Sequence, residues 1–220
     1  MIEQIEIRNL LPCVFAGMED TDRIRSSQIW EEPSFVFHRG CRLCVHAESG
    51  NGKSSLLHFI YGSRKDYKGS ILFDGTDISA LSIAQWCDVR TKGIALLPQD
   101  MALFPELTVG QNIDLKNNMT HHKSSEQIKD LLARLGIDDK HNVAAGKLSI
   151  GQMQRVALVR AVCQPFDFIF LDEPVSHLDA RNNKIVADII TEEANNQGAG
   201  IISTSVGNHL MLDNAKFVSL

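Results

Sequence analysis

Hydrophobic and polar positions alternate over short runs of this chain, and these runs predict β-strands. Residues 1–10 alternate isoleucine with charged and amide side chains, which is typical of a strand with one buried face. The run 34–47 predicts a hairpin whose second arm is apolar enough to be buried. Residues 166–171 and 201–204 are continuous apolar runs, as expected for parallel strands that are covered on both faces.

The clearest helical pattern lies over residues 124–136. Ser124 is the expected N-cap, Gln127 completes a capping box, and Gly136 ends the helix. The apolar positions between them form one stripe, which consists of Ile128, Leu131, Leu132 and Leu135. A shorter helix is expected over residues 56–60.

Strands alternate with helices from residue 43 onward, which predicts an α/β fold with a right-handed parallel sheet. Before this part, we expect an N-terminal antiparallel β portion. A strand over residues 70–73 runs into a turn at Asp74-Gly75. The helical stretch from about residue 82 to residue 162 is expected to form an inserted lobe of a single domain that spans residues 1–220.

Composition and charge exclude several classes of function. The formal net charge of −5 does not predict a wide phosphate-neutralising surface, so nucleic acid is not an expected partner. No stretch approaches the roughly 18 apolar residues of a membrane-spanning helix, and residues 1–10 lack a signal-peptide pattern, so we expect the chain in the cytosol. Cys41 and Cys44 form a lone CxxC without a second pair, which favours reduced thiols over zinc or redox chemistry.

The sequence AESGNGKSS at 47–55 lies between a predicted strand and a predicted helix, which is the context of a phosphate-binding loop. The amides near Gly50 and Gly52 would face the phosphates, Lys53 would reach the β and γ oxygens, and the Ser54 hydroxyl would bind Mg²⁺. The predicted nucleotide-binding residues here are Ser49, Gly50, Asn51, Gly52, Lys53, Ser54 and Ser55. Ala47 stands where the general pattern has glycine, and we expect an extended backbone that tolerates it.

Two adjacent carboxylates follow the apolar run in FDFIFLDE at 166–173. Asp172 is predicted to hold Mg²⁺, directly or through water, and Glu173 to polarise the water that attacks the γ-phosphate. Neighbouring side chains at a strand end point in different directions, so one pair can serve both roles. Together with the phosphate-binding loop, they predict a P-loop NTPase with a RecA-like sheet that uses ATP and Mg²⁺.

The sequence LSIGQMQR at 148–155 resembles the signature of the ATP-binding-cassette (ABC) ATPases, which is usually LSGGQ. ALLPQD at 95–100 is similar to the glutamine loop of that family, and EPVSHLD at 173–179 is similar to the segment that ends in its D-loop. The resemblance covers residues 34–205. FPELTVGQNI at 104–113 is most similar to subunits of the lipoprotein-release and macrolide-export type.

This resemblance implies the ATPase subunit of a membrane transporter. Ser149, Gly151 and Gln152, with Asp179 of the D-loop, would contact the ATP held by a second copy or by a paralogous ATPase in a head-to-tail dimer. Gln99 would contact Mg²⁺ and link the site to the helical lobe, which in this family receives an integral membrane permease. The chain would then be cytoplasmic and peripheral at the inner face of the cell membrane.

The family also places an aromatic residue upstream of the phosphate-binding loop, where it stacks on adenine. Phe15 is the candidate and Trp30 the alternative, and the other interpretation of Phe15 is a packed core residue. The histidines at 121, 122 and 177 have no third metal ligand at useful spacing, so we interpret them as loop residues.

Two residues depart from the family pattern. Ile150 replaces the first glycine of the signature pair, and Ser205 replaces the histidine that contacts the γ-phosphate. Loss of one such contact costs a factor of about 10²–10³ in rate, so we predict slow hydrolysis with binding and dimerisation preserved. His209 would substitute if residues 205–209 were helical, and it is otherwise a surface histidine. A nucleotide-gated scaffold without useful turnover and a soluble ABC protein remain as alternative hypotheses.

Overall fold

The computed structural model describes residues 1–18 and 20–220. Its strands are β1 (Gln4–Pro12), β2 (Ser34–His38), β3 (Arg42–His46), β4 (Tyr67–Phe73), β5 (Thr76–Asp77), β6 (Ile94–Leu97), β7 (Phe168–Asp172), β8 (Gly200–Ser205) and β9 (Lys216–Ser219). Its α-helices are α1 (Asp22–Arg25), α2 (Lys53–Ile60), α3 (Ile83–Asp88), α4 (Val109–Thr120), α5 (Ser125–Arg134), α6 (Ile150–Val162) and α7 (Ala180–Gln197).

The strands form two sheets. One is antiparallel, with the order β2-β1-β4-β5, and the other is parallel, with the order β6-β7-β8-β3-β9. Every residue of β7 and β8 is buried, as their continuous apolar runs predicted. The parallel sheet, the antiparallel portion and the helices confirm the predicted fold class.

The predicted hairpin over residues 34–47 is wrong. β2 pairs with β1, with Phe35 opposite Ile7, whereas β3 pairs with β8 and β9 in the other sheet. The two strands differ in burial: β3 has consecutive buried residues, as the interior of a parallel sheet requires, while β2 has a mostly accessible pattern and lies at a sheet edge. Gly40, with a φ of 77°, turns the chain between them.

The helix predicted over residues 124–136 is confirmed as α5. Ser124 and Gln127 form its capping box, and Gly136 follows it with a φ of 63°. The range 82–162, expected as a helical lobe, also contains β6, which pairs with β7 in the parallel sheet. The helices α4 and α5 follow that strand, and α6 packs against α4, α5 and β6.

The two sheets share one interior. The rings of Phe37 on β2 and Phe170 on β7 meet edge to face with their centroids 6.5 Å apart. Across the residues that the structure describes, no helix is both long enough and apolar enough to cross a bilayer. The ends of β3 and β7, at the same edge of the parallel sheet, position the candidate site.

Candidate functional site

The phosphate-binding loop connects β3 to α2. Gly50 and Gly52 have φ values of 84° and 93°, which side chains other than glycine rarely adopt. Ala47 does not have a positive φ, so its methyl group is tolerated, as predicted. The loop leads directly into the N-terminus of α2, where the backbone N–H groups and the helix dipole favour an anion.

Lys53, the first residue of α2, has a buried side chain. Its Nζ donates hydrogen bonds to the carbonyl oxygens of Ala47 (2.9 Å) and Glu48 (3.0 Å), and it lies 4.0 Å from Oε1 of Glu173. Burial lowers the pKa of the Lys53 ammonium, and the charges of Glu173 and Asp172 oppose this shift. A bound anion would therefore meet a partly desolvated cation between the loop and the end of β7.

Asp172, the last residue of β7, is buried. Its Oδ1 accepts a hydrogen bond of 2.6 Å from the hydroxyl of Thr204. Its Oδ2 is also buried but has no hydrogen-bond partner among the described residues. A buried carboxylate oxygen without a donor is costly unless a cation or a donor satisfies it, so Asp172 suits the predicted role of a metal ligand.

One cleft brings the predicted metal-binding residues Ser54, Gln99 and Asp172 together. It has a volume of about 410 Å³, and His58, Pro98 and Asp100 complete its lining. Hydroxyl, amide and carboxylate oxygens are the hard ligands that Mg²⁺ takes, commonly together with phosphate oxygens. This donor set and the unsatisfied Oδ2 of Asp172 therefore fit Mg²⁺.

Two residues of the site were not among the predicted ones. Thr204 on β8 also accepts a hydrogen bond of 3.1 Å from the N–H of Glu173. Gln154 on α6 donates from Nε2 to the carbonyl oxygen of Glu173 (3.0 Å), and its Oε1 accepts from the N–H of His177 (3.3 Å). The available sequence signal for Thr204 was a polar residue inside an apolar strand. Gln154 lies inside the LSIGQMQR segment at 148–155, but the motif gave no role to its side chain.

The signature residues lie at the N-terminus of α6. Ser149 is the N-cap: its hydroxyl accepts from the N–H of Gln152 (3.3 Å), while Oε1 of Gln152 accepts from the N–H of Ser149 (2.9 Å). A Cβ at Gly151 would lie 3.3 Å from the carbonyl oxygen of His177, so glycine allows close contact there. Ile150 is 51 % exposed and helical, so a branched side chain is accommodated.

Asp179, predicted to belong to the D-loop, is exposed and caps α7. Its Oδ1 accepts hydrogen bonds from the backbone N–H (2.8 Å) and the side-chain amide (3.0 Å) of Asn182, and these bonds lower the pKa of the Asp179 carboxyl. None of the signature residues, nor Asp179, lines the cleft that holds Gln99 and Asp172. Within the described residues, the signature residues and Asp179 therefore lie outside the cleft that is lined by Ser54, Gln99 and Asp172.

Two predicted loop residues already have partners. The Ser55 hydroxyl accepts a hydrogen bond of 2.8 Å from Nη1 of Arg64, and the carbonyl oxygen of Asn51 accepts one of 3.2 Å from Nε1 of Trp30. Ser49 lies at the exposed side of the loop. Ser49 and Asn51 line a second cavity with Ser219 of β9 and with Leu220.

The structure does not support adenine stacking by Phe15 or by the alternative, Trp30. Phe15 is 4 % exposed and Trp30 is 5 % exposed, so neither ring presents an open face to a base. Both rings lie beneath the phosphate-binding loop, since a Cβ at Gly52 would be 3.3 Å from Trp30 and 3.5 Å from Phe15. Their observed role is to support the loop, which agrees with the core interpretation of Phe15.

Ser205 does not face the cleft. It is 1 % exposed, and its Oγ lies 3.5 Å from Sγ of Cys44 on the adjacent strand. Thr204 contacts the carboxylate side instead, because side chains alternate along a strand. The chain bends after β8 rather than forming a helix, and His209 is exposed with its ring 5.2 Å from that of Phe217, so His209 is a surface residue.

Comparison with known proteins gives consistent matches. The family model described as ABC transporter matches residues 30–176. The lipoprotein-releasing system ATP-binding protein LolD of Buchnera aphidicola is 32% identical over 175 residues, which cover 78% of this chain and 76% of that protein. The ABC transporter ATP-binding protein YtrE of Bacillus subtilis is 30% identical over 167 residues, which cover 74% of this chain and 72% of that protein.

Solved structures support the same fold. A dimeric bacterial ABC transporter cassette superposes with a TM-score of 0.75 at 19% identity, covering 98% of this chain and 94% of that one. A bacterial Atm1-family ABC exporter with ATP bound superposes with a TM-score of 0.72 at 22% identity, and this chain spans 37% of the exporter chain. At these identities, the structural likeness concerns the fold alone.

Proposed function

The chain belongs to the ABC transporter family, and we propose that its ATP site is built from the phosphate-binding loop, Asp172, Glu173 and Gln99, and completed by a second subunit. It is an ATP-binding subunit of an ABC transporter and an ABC-type ATPase.

The convergence of Ser54, Gln99 and Asp172 on one cleft carries this proposal. Three segments far apart in sequence supply hard oxygen ligands to the same space, and Asp172 Oδ2 has no other partner among the described residues. Lys53 lies beside them, with its Nζ 4.0 Å from Glu173. These are the residues that an Mg²⁺-bound triphosphate requires.

Each group of the chain would have a distinct role in binding and hydrolysis. The N–H groups of the loop and the ammonium of Lys53 bind the phosphates, which compete with the carbonyl oxygens of Ala47 and Glu48 for that ammonium. Glu173 accepts a proton from the attacking water. Ser54, Gln99 and Asp172 would hold Mg²⁺, which supplies charge neutralisation at the phosphate oxygens.

A second copy, or a paralogous ATPase, would complete each site. Ser149, Gly151 and Gln152 lie at a helix N-terminus that is suited to an anion, yet they are absent from the lining of their own cleft. The signature of one subunit therefore has a ligand to contact only if that ligand is held by another. This arrangement predicts a head-to-tail dimer with Asp179 near the junction.

Turnover would be slow. The position that the family fills with a histidine holds Ser205, whose hydroxyl faces Cys44 and not the cleft. Loss of one such preorganised contact lowers the rate by a factor of about 10²–10³, while Glu173 is retained as the base. A second candidate function follows from the same residue: a nucleotide-gated scaffold that binds ATP and dimerises without useful turnover.

The central experiment compares the wild type with the Glu173→Gln and Lys53→Ala variants. Binding of Mg-ATP is measured by calorimetry, and mass is measured by sedimentation velocity with and without Mg-ATP. We expect Glu173→Gln to bind Mg-ATP and dimerise, and Lys53→Ala to do neither. Absence of Mg-ATP binding by the wild type would overturn the proposal. If the Glu173→Gln variant binds Mg-ATP but stays a monomer, only the completion of the site by a second subunit is overturned.

An integral membrane permease is the proposed partner, which would place the chain at the inner face of the cell membrane. Phe104, which is 54 % exposed after β6, offers an apolar contact on the side of the helical lobe. Co-expression with candidate permeases and capture from detergent tests this assignment. We expect Phe104→Ala to reduce capture without changing Mg-ATP binding, and unchanged capture would contradict the role of Phe104.

A further inference from the structure

Glu173 has an unusual backbone conformation. Its φ is 49°, in the left-handed region that residues with a side chain seldom occupy. A conformation of this kind persists only when neighbouring groups hold it, and Glu173 directly follows β7, where the ladder of the sheet ends. The groups that hold this backbone conformation therefore help to set the direction of the Glu173 side chain.

Two side chains from different elements hold the main chain of Glu173. The N–H donates to the Thr204 hydroxyl on β8 at 3.1 Å, and the carbonyl oxygen accepts from Nε2 of Gln154 on α6 at 3.0 Å. Thr204 is fully buried and Gln154 is 5 % exposed. Both side chains are thus buried, and a buried polar group that loses its hydrogen-bond partner is costly.

Thr204 also determines which oxygen of Asp172 is free. A hydroxyl carries one proton, and in Thr204 that proton is donated to Oδ1 of Asp172 at 2.6 Å, which leaves a lone pair for the N–H of Glu173. The only Asp172 oxygen left without a partner among the described residues is Oδ2, in the residue that lines the cleft.

We propose that Thr204 and Gln154 are positioning residues for ATP hydrolysis. Gln154 and Thr204 together fix the main chain of Glu173, and Thr204 alone also orients the carboxylate of Asp172 toward a divalent cation. This inference rests on the proposed function of the site, but it assigns roles to two residues that are not among the phosphate-binding loop, the two carboxylates or the predicted contacts Ser149, Gly151 and Gln152. It predicts that the two residues affect different measurable quantities.

The cation arm of the test uses Thr204→Val, which keeps the shape but removes the hydroxyl. Mn²⁺ binding in the presence of ATP is measured by electron paramagnetic resonance, and ATP binding without divalent cation by calorimetry. We expect Thr204→Val to weaken Mn²⁺ binding by about tenfold, the effect of one charge-assisted hydrogen bond. ATP binding without the cation should stay unchanged, and Thr204→Ser should retain Mn²⁺ affinity.

The matched control is Thr76→Val, the same substitution at an exposed strand residue far along the sequence from the site. It should leave Mn²⁺ affinity at the wild-type value. If Thr204→Val folds poorly by its melting temperature, Thr204→Ala supplies a second variant without the hydroxyl. Mn²⁺ affinity that is equal in the wild type and in both hydroxyl-free variants would overturn the inference, whereas a wild type without Mn-ATP affinity would overturn the proposed function itself.

The second arm uses Gln154→Met, which keeps length and removes the amide. We expect kcat to fall by about tenfold with unchanged Mn²⁺ affinity, because Gln154 contacts Glu173 but not Asp172. In a Glu173→Gln background, Gln154→Met should have no further effect on the residual rate. A merely structural role would lower the rate in both backgrounds, and that result would overturn the assignment of Gln154.

Discussion

Nζ of Lys53 lies 4.0 Å from Oε1 of Glu173, while it donates hydrogen bonds to the carbonyl oxygens of Ala47 and Glu48. The cation that we propose to bind phosphate and the carboxylate that we propose to accept a proton are thus close neighbours in the structure. Binding of a triphosphate changes the partners of the cation, and this exchange has consequences that depend on pH.

Nucleotide binding should take up protons at alkaline pH. Burial lowers the pKa of Lys53 below its ordinary value of 10.5, so the free protein loses this proton earlier than an exposed lysine does. A bound triphosphate stabilises the ammonium and raises the pKa again. ATP affinity should therefore fall as pH rises through the interval between the two pKa values, with uptake of up to about one proton per site.

Calorimetry above pH 8 in two buffers of different ionisation enthalpy measures this uptake. A pH of about 8 is chosen as the lower limit because it lies well above the pKa of the nucleotide phosphates and below the pKa of an ordinary lysine. Lys53→Arg is the control, since arginine stays charged throughout. Equal heats in both buffers for the wild type would contradict the prediction.

The caps of α5 and α6 allow stability to be separated from dimerisation. Ser124 and Ser149 form the same capping box, with hydroxyl-to-nitrogen distances of 3.2 and 3.3 Å. Either change to alanine should lower the free energy of unfolding by about 1 kcal/mol. In the Glu173→Gln background, Ser149→Ala should also prevent ATP-dependent dimerisation, whereas Ser124→Ala should not. Equal sedimentation of the two double variants would contradict the role of Ser149.

Replacement of Ser205 by histidine should not restore fast turnover by itself. The serine hydroxyl is packed 3.5 Å from Cys44 Sγ, so a larger ring overfills this space and should cost about 1–3 kcal/mol of stability. Adding Cys44→Ala should recover part of that loss. Urea unfolding and steady-state hydrolysis of the single and double variants measure both effects, and full stability of Ser205→His alone would contradict the packing argument.

Removal of one partner of the buried ion pair between Lys123 and Glu193 should destabilise the protein far more than replacement of both partners. Its side chains are 9% and 10% exposed, with Nζ 2.6 Å from Oε2. Glu193→Ala strands a buried ammonium and should lower the free energy of unfolding by about 3–5 kcal/mol, whereas the Lys123→Met, Glu193→Leu double variant should lose far less.

An exposed pair on the same helix provides the control for this ion pair. Lys184 and Asp188 are 2.9 Å apart with side chains 47% and 55% exposed, so Asp188→Ala should change stability by less than about 1 kcal/mol. Urea denaturation of all variants gives the comparison. A similar loss for Asp188→Ala and Glu193→Ala would show that burial is not the cause.

Thiol reactivity should divide the cysteines by burial. Cys13 and Cys87 are exposed, whereas burial raises the pKa of Cys41 to about 11 and that of Cys163 to about 12. At pH 8 a disulfide reagent should label the exposed pair quickly, because the raised pKa of Cys41 and Cys163 keeps their thiolates scarce and burial keeps the reagent from Cys44. A Cys13→Ser, Cys87→Ser variant should show no fast phase, and a persistent fast phase would contradict this order.

Local sequence predicted much of this molecule. Ser124 with Gln127 identifies a helix start because a capping box is formed within four consecutive positions. Lys53 is recognisable because the phosphate-binding loop is also a pattern of consecutive residues. Pairing between strands that are distant in sequence could not be predicted from the local pattern. The error at residues 34–47 arose because β2 and β3 are neighbours in sequence, yet their partners come from opposite ends of the chain.

Side-chain direction was the other limit. Thr204 and Ser205 are adjacent, and which of them faces the carboxylates depends on where β8 ends relative to β7. The burial of Phe15 likewise depends on a contact between distant segments, because Phe15 packs beneath the loop at Gly52, and no local pattern predicts that contact. Motif recognition supplied the residue types of the site, and the sheet register supplied its orientation.

The position of β3 in the parallel sheet has a consequence for synthesis on the ribosome. β3 lies between β8 and β9, so the strand that delivers the phosphate-binding loop obtains both neighbours from residues made long after it. A nascent chain that has not passed residue 205 leaves this strand open on two sides, and its nucleotide pocket lacks Thr204 beside Asp172. The strand that carries the phosphate-binding loop is therefore flanked on both sides only after residues 200–219 have been synthesised.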